Sequence, residues 1–261
     1  MRSRIFTLDA FSHRAFAGNP AAVMPLEAFA PDALLQAIAA ENNLSETAFL
    51  VGGDGQYQLR WFTPRVEVPL CGHATLASAA VVLEKLEPGR TEVTFHTASG
   101  ALRVTRAAHS YIMDFPARPT HRVEPPAALV RALGVPPLEV RADAINYLAV
   151  LPDEQTVRSL APDIAAIAAL ELPGVIVTAR GSGPYDCVSR YFTPARGVDE
   201  DPVTGSAHCA LAPYWAETLG KTHLRAYQAS RRGGELHCRV RGTRVELEGE
   251  CVFYLEGIVQ F

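Results

Sequence analysis

Short segments in which apolar and polar residues alternate occur through much of the chain, a pattern typical of half-buried β-strands. The two clearest examples are residues 57–62 and residues 186–192. The same pattern predicts further strands at 91–97, 101–106, 223–228, 236–240, 243–247 and 251–259. We therefore expect a chain rich in β-sheet.

Two Ala-rich segments, 73–86 and 206–219, interrupt these strands and are apolar around most of their circumference. Such segments predict helices that are each enclosed by their own sheet. A glycine follows each segment at the point where a helix is expected to end. Two other segments, 31–42 and 153–170, are amphipathic and predict external helices.

Parts of the first half of the sequence recur, in the same order, in the second half. The recurring pairs are 61–64 with 191–194, 72–80 with 205–212, and 98–102 with 229–236. Repetition of this kind indicates two similar domains. We place them at 1–118 and 119–261, with a crossing in the Pro-rich stretch 115–119 and the option that the last strand returns to the first domain.

The composition is that of an ordinary globular chain and excludes general disorder. The 261 residues are 48% hydrophobic and 20% charged, with a net charge of −4. No Lys/Arg cluster indicates a nucleic-acid partner, and no long apolar run or signal peptide indicates a membrane or secretory protein. The five scattered cysteines favour a reducing compartment, so we expect a cytoplasmic location.

The two apolar helices begin at equivalent points, Gly72 and Gly205. The start of a helix offers unpaired N–H groups and a partial positive charge, which favour an anion. Equivalent points of duplicated domains tend to meet where ligands bind, so we expect a small anionic substrate in a cleft between the domains. A simpler explanation is that both glycines only permit tight turns.

Five motifs give the chain a specific resemblance. They are DAF at 9–11, GNPAAV at 18–23, NLSETAF at 43–49, CGHATLA at 71–77 and DPVTGSA at 201–207. Together they resemble the PhzF family of isomerases, phenazine-biosynthesis-type proteins that share the diaminopimelate epimerase fold. The resemblance implies an α+β fold of two pseudo-symmetric domains, each a curved mixed sheet around a central helix. It also implies an interdomain site, no cofactor and a homodimer.

The resemblance implies a catalytic role for Glu46, His73 and Asp201. A carboxyl such as Glu46 can take a proton from one carbon and return it to another. Its alternative role is structural, in the first turn of a helix capped by Ser45 or Asn43. We expect His73 to be neutral, because a helix start disfavours a cation. Asp201 would bind a substrate amine or orient His73, or would serve only as a turn carboxylate.

The residues that the resemblance implies for substrate binding are Gly72, Thr204, Gly205, Ser206 and Asn19. The two glycines and Thr204 would act mainly through the backbone. Ser206 would offer its hydroxyl and its N–H, or only cap its helix. Asn19 lies in an early loop expected near the cleft, although that loop has an equally simple role as a turn.

The strongest alternative is an amino-acid racemase or epimerase of the same fold, which would use two opposed thiols. Cys71 matches the first thiol motif, but an ungapped alignment places Val203 at the second thiol position. Cys209 lies nearly two helical turns farther on and cannot easily replace it. We therefore expect Cys71 to be a packed residue beside the cleft.

A second alternative is a non-catalytic protein that binds small acids. Glu46 argues against it, because simple binding of an acid would not place another carboxylate beside the ligand. No metal-binding motif such as His-x-His or Cys-x-x-Cys is present, so we expect no metal site. The sequence thus favours a cofactor-independent isomerase of a small carboxylated, cyclic and unsaturated substrate similar to dihydro-hydroxyanthranilate.

Overall fold

The computed structural model describes residues 2–261. Over these residues the chain is an α+β protein in which strands predominate, as the sequence predicts. It forms two compact units. Unit 1 contains the described residues up to Asp114 together with Leu247–Phe261, and unit 2 contains Phe115–Glu246.

The strands and helices follow one another along the chain with short connections. The strands are β1 Arg2–Ala10, β2 Asn19–Leu26, β3 Glu46–Gly53, β4 Gln56–Phe62, β5 Glu67–Val68, β6 Glu92–Thr97, β7 Gly100–Arg106, β8 Tyr111–Pro116, β9 His121–Val123, β10 Glu139–Ala142, β11 Asn146–Val150, β12 Gly174–Arg180, β13 Cys187–Thr193, β14 Val198–Asp201, β15 His223–Gln228, β16 Gly234–Arg241, β17 Arg244–Gly249 and β18 Cys251–Gln260. The α-helices are α1 Asp32–Asn42, α2 Gly72–Val81, α3 Ala127–Leu133, α4 Glu154–Ser159, α5 Ile164–Ala168 and α6 Gly205–Leu219.

Unit 1 is a mixed sheet around α2. Strand β1 pairs antiparallel with both β18 and β2, and β2 runs parallel to β3. Strand β4 is antiparallel to β3 and parallel to β6, and β7 completes an antiparallel pair with β6. Helix α2 packs against β1, β2, β3 and β18. Nine of its ten residues are buried, which confirms the prediction of a helix enclosed by its own sheet.

Unit 2 repeats this pairing pattern. Strand β11 is parallel to β12, β12 is antiparallel to β13, and β13 is parallel to β15. Helix α6 packs against β15 and β16. The register is repeated too, because Thr47 pairs with Phe62 in unit 1 and Val175 pairs with Phe192 in unit 2. The duplication seen in the sequence is therefore a duplication of strand order and register.

The outer helices differ between the units. Helix α1 packs Leu35 and Ile38 against Phe49 of the sheet, as expected of an amphipathic external helix. The single helix predicted over 153–170 is wrong, because this segment forms two short helices, α4 and α5. Pro162 lies between them and cannot continue the hydrogen bonding of α4. Within residues 2–261, no helix has the length and apolar character required to cross a bilayer.

Candidate active site

The position of Asn19 is set by the turn before β2. Gly18 adopts a φ of +68°, and a Cβ on it would overlap the carbonyl oxygen of Ala10, so this turn requires glycine. Asn19 then begins β2 and is fully buried. Because Ala21 pairs with Glu46 across the parallel β2–β3 ladder, the turn places Asn19 close to the start of β3.

Glu46 is the first residue of β3, not a residue in the first turn of a helix. The helical alternative is wrong because α1 ends before it, at Asn42, and the next residue, Asn43, adopts a left-handed conformation with a φ of 48°. Pairing with β2 then holds the segment as a strand. The Glu46 side chain is 15% exposed, so its carboxyl is largely shielded from water.

His73 is the second residue of α2, and its ring lies between groups of different character. Its Nε2 atom lies 3.0 Å from Oε2 of Glu46. On the other edge of the ring, Nδ1 lies 3.1 Å from Nδ2 of Asn19 and 3.5 Å from Sγ of Cys71. The structure therefore brings together the side chains of Glu46, His73, Asn19 and Cys71 in unit 1.

The His73 imidazole is held in its charged form. Burial alone lowers the pKa of His73, but Cys71 and Glu46 raise it and outweigh burial, so it lies well above its ordinary value of 6.5. Burial raises the pKa of the Cys71 thiol to about 11, so the thiol is uncharged near neutral pH. Glu46, whose Oε2 atom lies 3.0 Å from Nε2, contributes to this rise in the pKa of His73.

The expectation of a neutral His73 is thus wrong. The positive end of α2 disfavours a cation, but this effect is modest compared with a carboxylate at 3.0 Å. Asn19 can form a hydrogen bond with Nδ1 of His73 in either protonation state of the ring. Its side-chain amide can donate through its nitrogen or, when turned over, accept through its oxygen. Asn19 is fully buried beside the ring, which favours support of His73 over the direct substrate contact expected from the sequence.

The contact between Glu46 and His73 is close but poorly aligned. Within the described chain, Oε2 of Glu46 and Nε2 of His73 are both buried and have no hydrogen-bond partner of good geometry. Their 3.0 Å separation is therefore an electrostatic pairing without a directed hydrogen bond. Both atoms keep the capacity to exchange a proton with a bound molecule.

The spacing of this cluster would also allow a metal ion to bind. One ligand atom from each of Glu46, Cys71 and His73 lies within 4.8 Å of the other two. A metal requires deprotonated thiol and imidazole ligands. Here the pKa values of both groups are raised, so a metal ion would have to displace a proton from each of them. The electrostatics of the cluster suit proton transfer better than metal binding.

The predicted residues of unit 2 lie around the start of α6. Asp201 ends β14, Thr204 precedes the helix, and Gly205 and Ser206 form its first turn. The Thr204 hydroxyl donates a short hydrogen bond to Oδ2 of Asp201. Gln228 completes this cluster: its Oε1 accepts from the Thr204 N–H at 2.9 Å, and its Nε2 donates to the Asp201 carbonyl at 2.7 Å.

Both backbone groups of Thr204 have partners within the protein, and its expected backbone contact with a substrate stays a prediction. Its N–H donates to Gln228, and its carbonyl oxygen lies 2.8 Å from Nδ1 of His208. Thr204, not Val203, also occupies the position of Cys71, since these two residues directly precede their helices. Neither candidate in unit 2 is a thiol.

His208 and Cys209 have structural roles. Burial lowers the pKa of His208 to about 4, so the ring is neutral, and it bonds within its own helix turn. The Cys209 thiol donates to the carbonyl of Gly205 at 3.6 Å, which is also within α6. Neither residue supports a metal site or a second catalytic thiol.

Sequence reasoning missed Gln228. A signal was present, because Leu224, Ala226 and Gln228 occupy alternate positions of β15 and all three are buried. A polar residue on the buried face of a strand needs partners for its side chain. This identifies Gln228 as a residue with a specific task, although not which task.

The fold places the chain among the epimerase-like α+β proteins, as predicted. A predicted epimerase from Pseudomonas aeruginosa has a TM-score of 0.75 with 24% identity and covers 99% of each chain, a similarity that shows the fold alone. A crystal structure of a PhzF-family phenazine biosynthesis protein from Enterococcus faecalis is much more similar. It has a TM-score of 0.96 and 44% identity over 100% of both chains.

The sequence comparisons identify the family. The family model of phenazine biosynthesis-like proteins, PhzC-PhzF, matches residues 8–257. A Pseudomonas aeruginosa protein named as an uncharacterized isomerase is 54% identical over 98% of each chain. The chain therefore belongs to the PhzC-PhzF family, which confirms the resemblance seen in its motifs.

Proposed function

We propose that this protein is an isomerase that moves a proton within a small carboxylated substrate without a cofactor. Membership of the PhzC-PhzF family and the isomerase name of its Pseudomonas aeruginosa relative support this enzyme class. The substrate we propose is a cyclic, unsaturated acid similar to dihydro-hydroxyanthranilate. The observation that carries the proposal is the buried Glu46 carboxyl, 3.0 Å from a buried imidazole at the start of a helix.

In the proposed reaction, the Glu46 carboxylate removes a proton from a carbon next to the double bond. The electron pair of the broken C–H bond forms a new double bond, and the original double bond shifts its electrons to a second carbon. Glu46 then returns the proton to that carbon. The substrate gains and loses one proton, so the isomerisation needs neither an oxidant nor a reductant.

His73 supports both steps. Its positive charge, held by Glu46 before substrate binds, stabilises the carboxylate form that is needed for proton removal. As Glu46 becomes neutral, the imidazolium N–H is free to stabilise the electron-rich intermediate. Asn19 and Cys71 contact Nδ1 and fix the ring, while the first amides of α2 favour a substrate carboxylate.

We further propose that Asp201, Gly205 and Ser206 are substrate-binding residues. The first turn of α6 has the same capacity to bind an anion as that of α2. The Asp201 carboxyl accepts a hydrogen bond from the Thr204 hydroxyl, and its two oxygens have the capacity to accept a further bond from an amino or hydroxyl group.

The proposal can be tested by turnover of dihydro-hydroxyanthranilate in heavy water, followed by mass spectrometry. We expect the unmodified protein to incorporate deuterium at carbon. Glu46→Gln should slow turnover by about 10² to 10⁴-fold, because Gln cannot carry the proton. Binding of 3-hydroxyanthranilate, a stable aromatic analogue, should change little in calorimetric titrations.

Glu41→Gln is a matched control, since Glu41 is exposed on α1 and lies five positions earlier. It should turn over substrate at the unmodified rate. Equal turnover by Glu46→Gln would remove Glu46 from the mechanism. Deuterium entering the α-carbon of an amino acid instead would favour the racemase alternative.

A further inference from the structure

Gln228 is a fully buried polar side chain of unit 2, and its hydrogen-bond partners all lie in one loop. Its exposed fraction is 0%. Its amide oxygen accepts from the Thr204 N–H, and its Nε2 donates to the Asp201 carbonyl at 2.7 Å and to the Thr204 hydroxyl at 3.1 Å. A single side chain thus satisfies three groups of the loop that leads into α6.

These partners fix which way the amide points. Turning it over would place Nε2 against the Thr204 N–H and Oε1 against the Asp201 carbonyl, so both contacts would become repulsive. The neighbouring Ser230 hydroxyl reinforces the arrangement by donating to the Pro202 carbonyl at 2.7 Å. The loop from Asp201 to Thr204 is therefore fastened to the end of β15 and the turn after it.

The orientation of Gln228 also decides the direction of the Thr204 hydroxyl. Since Nε2 of Gln228 can only donate, it occupies a lone pair of Oγ1. The hydroxyl proton of Thr204 is then directed to Oδ2 of Asp201. A hydrogen bond received from a hydroxyl favours the ionised form of a carboxyl, so Asp201 is presented as an acceptor.

We infer that Gln228 is a positioning residue that acts through the Thr204 hydroxyl to aim the Asp201 carboxylate at a hydrogen-bond donor of the substrate. An amino group is the donor that the proposed substrate class carries beside its carboxylate, so the chain Gln228–Thr204–Asp201 selects aminated acids. This inference rests on the proposed function for the identity of the ligand. It adds a specificity role for two residues that do not perform the proton transfer.

The test compares binding of 3-hydroxyanthranilate with binding of 3-hydroxybenzoate, which lacks only the amino group. A hydrogen bond to a charged group discriminates by about 10 to 100-fold, so we expect the unmodified protein to prefer the aminated acid to this extent. Thr204→Val removes the hydroxyl at constant shape and should reduce the preference to within about threefold. Thr204→Ser keeps the hydroxyl and should restore most of it.

Gln228→Met should reduce the preference in the same way as Thr204→Val, and the double variant should show little additional effect, because both residues act on Asp201 in series. Gln36→Met is the control. Gln36 also donates to a backbone carbonyl, that of Thr63 at 2.9 Å, but it lies in unit 1. It should leave the ratio of the two affinities unchanged.

Hydrogen exchange gives a second measurement that needs no ligand. In Gln228→Met the Thr204 amide should exchange at least about 10-fold faster, while the ladder amides of β15 keep their protection. If Gln228→Met does not fold, the Thr204→Val and Thr204→Ser pair still decides the matter.

The outcomes separate this inference from the proposed function. If the unmodified protein binds both acids equally, or if Thr204→Val keeps the full preference, the inference is overturned while the isomerase proposal stands. If the unmodified protein binds neither acid, the proposed substrate class fails and the selection of an amine fails with it.

Discussion

The starts of α2 and α6 occupy equivalent places in two units with the same strand order, yet they carry different chemistry. At α2, an imidazole and a thiol lie against a carboxyl, and the pKa values of His73 and Cys71 are both strongly raised. At α6, two uncharged side chains, those of Thr204 and Gln228, form a hydrogen-bond network with Asp201. The duplicated backbone thus carries a cluster of titratable groups at one helix start and uncharged hydrogen-bonding side chains at the other.

The shared register shows how the second unit differs. Glu46 directly precedes Thr47 on β3, and Gly174 directly precedes Val175 on β12, so Gly174 holds the position that corresponds to Glu46. A residue without a side chain cannot transfer protons. The comparison supports the proposal that Glu46 is the single proton carrier, because a mechanism with two opposed groups would need a second side chain at the position of Gly174.

The space at Gly174 explains why no carboxyl occurs there. A Cβ on Gly174 would overlap Oδ1 of Asn146 and would lie 2.6 Å from the Tyr191 hydroxyl. These two side chains are joined by a 3.1 Å hydrogen bond. Packing inside unit 2 therefore occupies the volume that unit 1 leaves to the Glu46 side chain.

The largest expected contrast is between the two buried histidines. His73→Gln should reduce turnover by about 10² to 10³-fold, because the imidazolium beside Glu46 is lost. His208→Gln should leave turnover of the folded protein within a few-fold, because that ring only bonds to Thr204. Steady-state rates at matched folded fractions check the prediction, and equal losses in both variants would contradict the assignment of proton chemistry to unit 1.

The same two histidines should give stability opposite pH dependences. The pKa of His208 falls to about 4 on folding, so its contribution is present above pH 6.5 and is lost as the pH falls from 6.5 to 4, by about 3 kcal/mol in total. The pKa of His73 rises on folding, so its contribution is complete below pH 6.5 and is lost as the pH rises through the folded value.

Urea unfolding of the unmodified protein and of each His→Gln variant, at pH values from 4 to 9, measures these differences. Subtracting the free energy of unfolding of each variant from that of the unmodified protein cancels most contributions of other titratable groups. If the stability difference changes with pH in the same direction for His73→Gln and His208→Gln, the charge state assigned to one of the two rings is incorrect.

A smaller effect is expected from Gly174→Ala. The added methyl group would be forced against Asn146 and Tyr191, so the free energy of unfolding should fall by about 1–3 kcal/mol. Gly53→Ala is the control, because a Cβ there meets nothing within 4 Å. Denaturant midpoints of the two variants give the result. Equal stability would mean that unit 2 could accommodate a side chain at this position.

The smallest effect is expected from Cys71→Ala. The thiol is uncharged near neutral pH and only contacts the His73 ring, so turnover should stay within about fivefold. A two-thiol racemase would instead lose nearly all activity. Cys251→Ala, which changes another thiol of unit 1 away from this cluster, serves as the matched control in the same assay.

Many of the strands and helices, and the positions of the two helix starts, could be predicted from local sequence. The glycines at the helix starts and the alternating strands are local signals, and the structure follows them closely. The helical alternative for Glu46 was wrong. Asn43 and Ser45 are good helix caps, but pairing of β3 with β2 makes the segment a strand. Tertiary pairing of this kind has no signature within a short window of sequence.

The charge of His73 and the role of Gln228 could not be predicted from the neighbouring residues in the sequence, for a related reason. Each depends on groups that lie far away in the chain: Glu46 in one case, and the loop from Asp201 to Thr204 in the other. A helix dipole can be inferred from sequence, but a carboxylate brought to 3.0 Å by a different strand cannot.

The pairing of β1 with β18 has a consequence for how the protein is made. Residues 2–10 must wait for residues 251–260 to leave the ribosome before their ladder can close, whereas every residue of unit 2 is synthesised earlier. One wall around α2 is therefore absent until β18 has been synthesised, and unit 1 is completed only after all of unit 2. Chains released before β18 would lack part of the sheet around α2, so the packed surroundings of His73 form only in molecules whose synthesis has passed that strand.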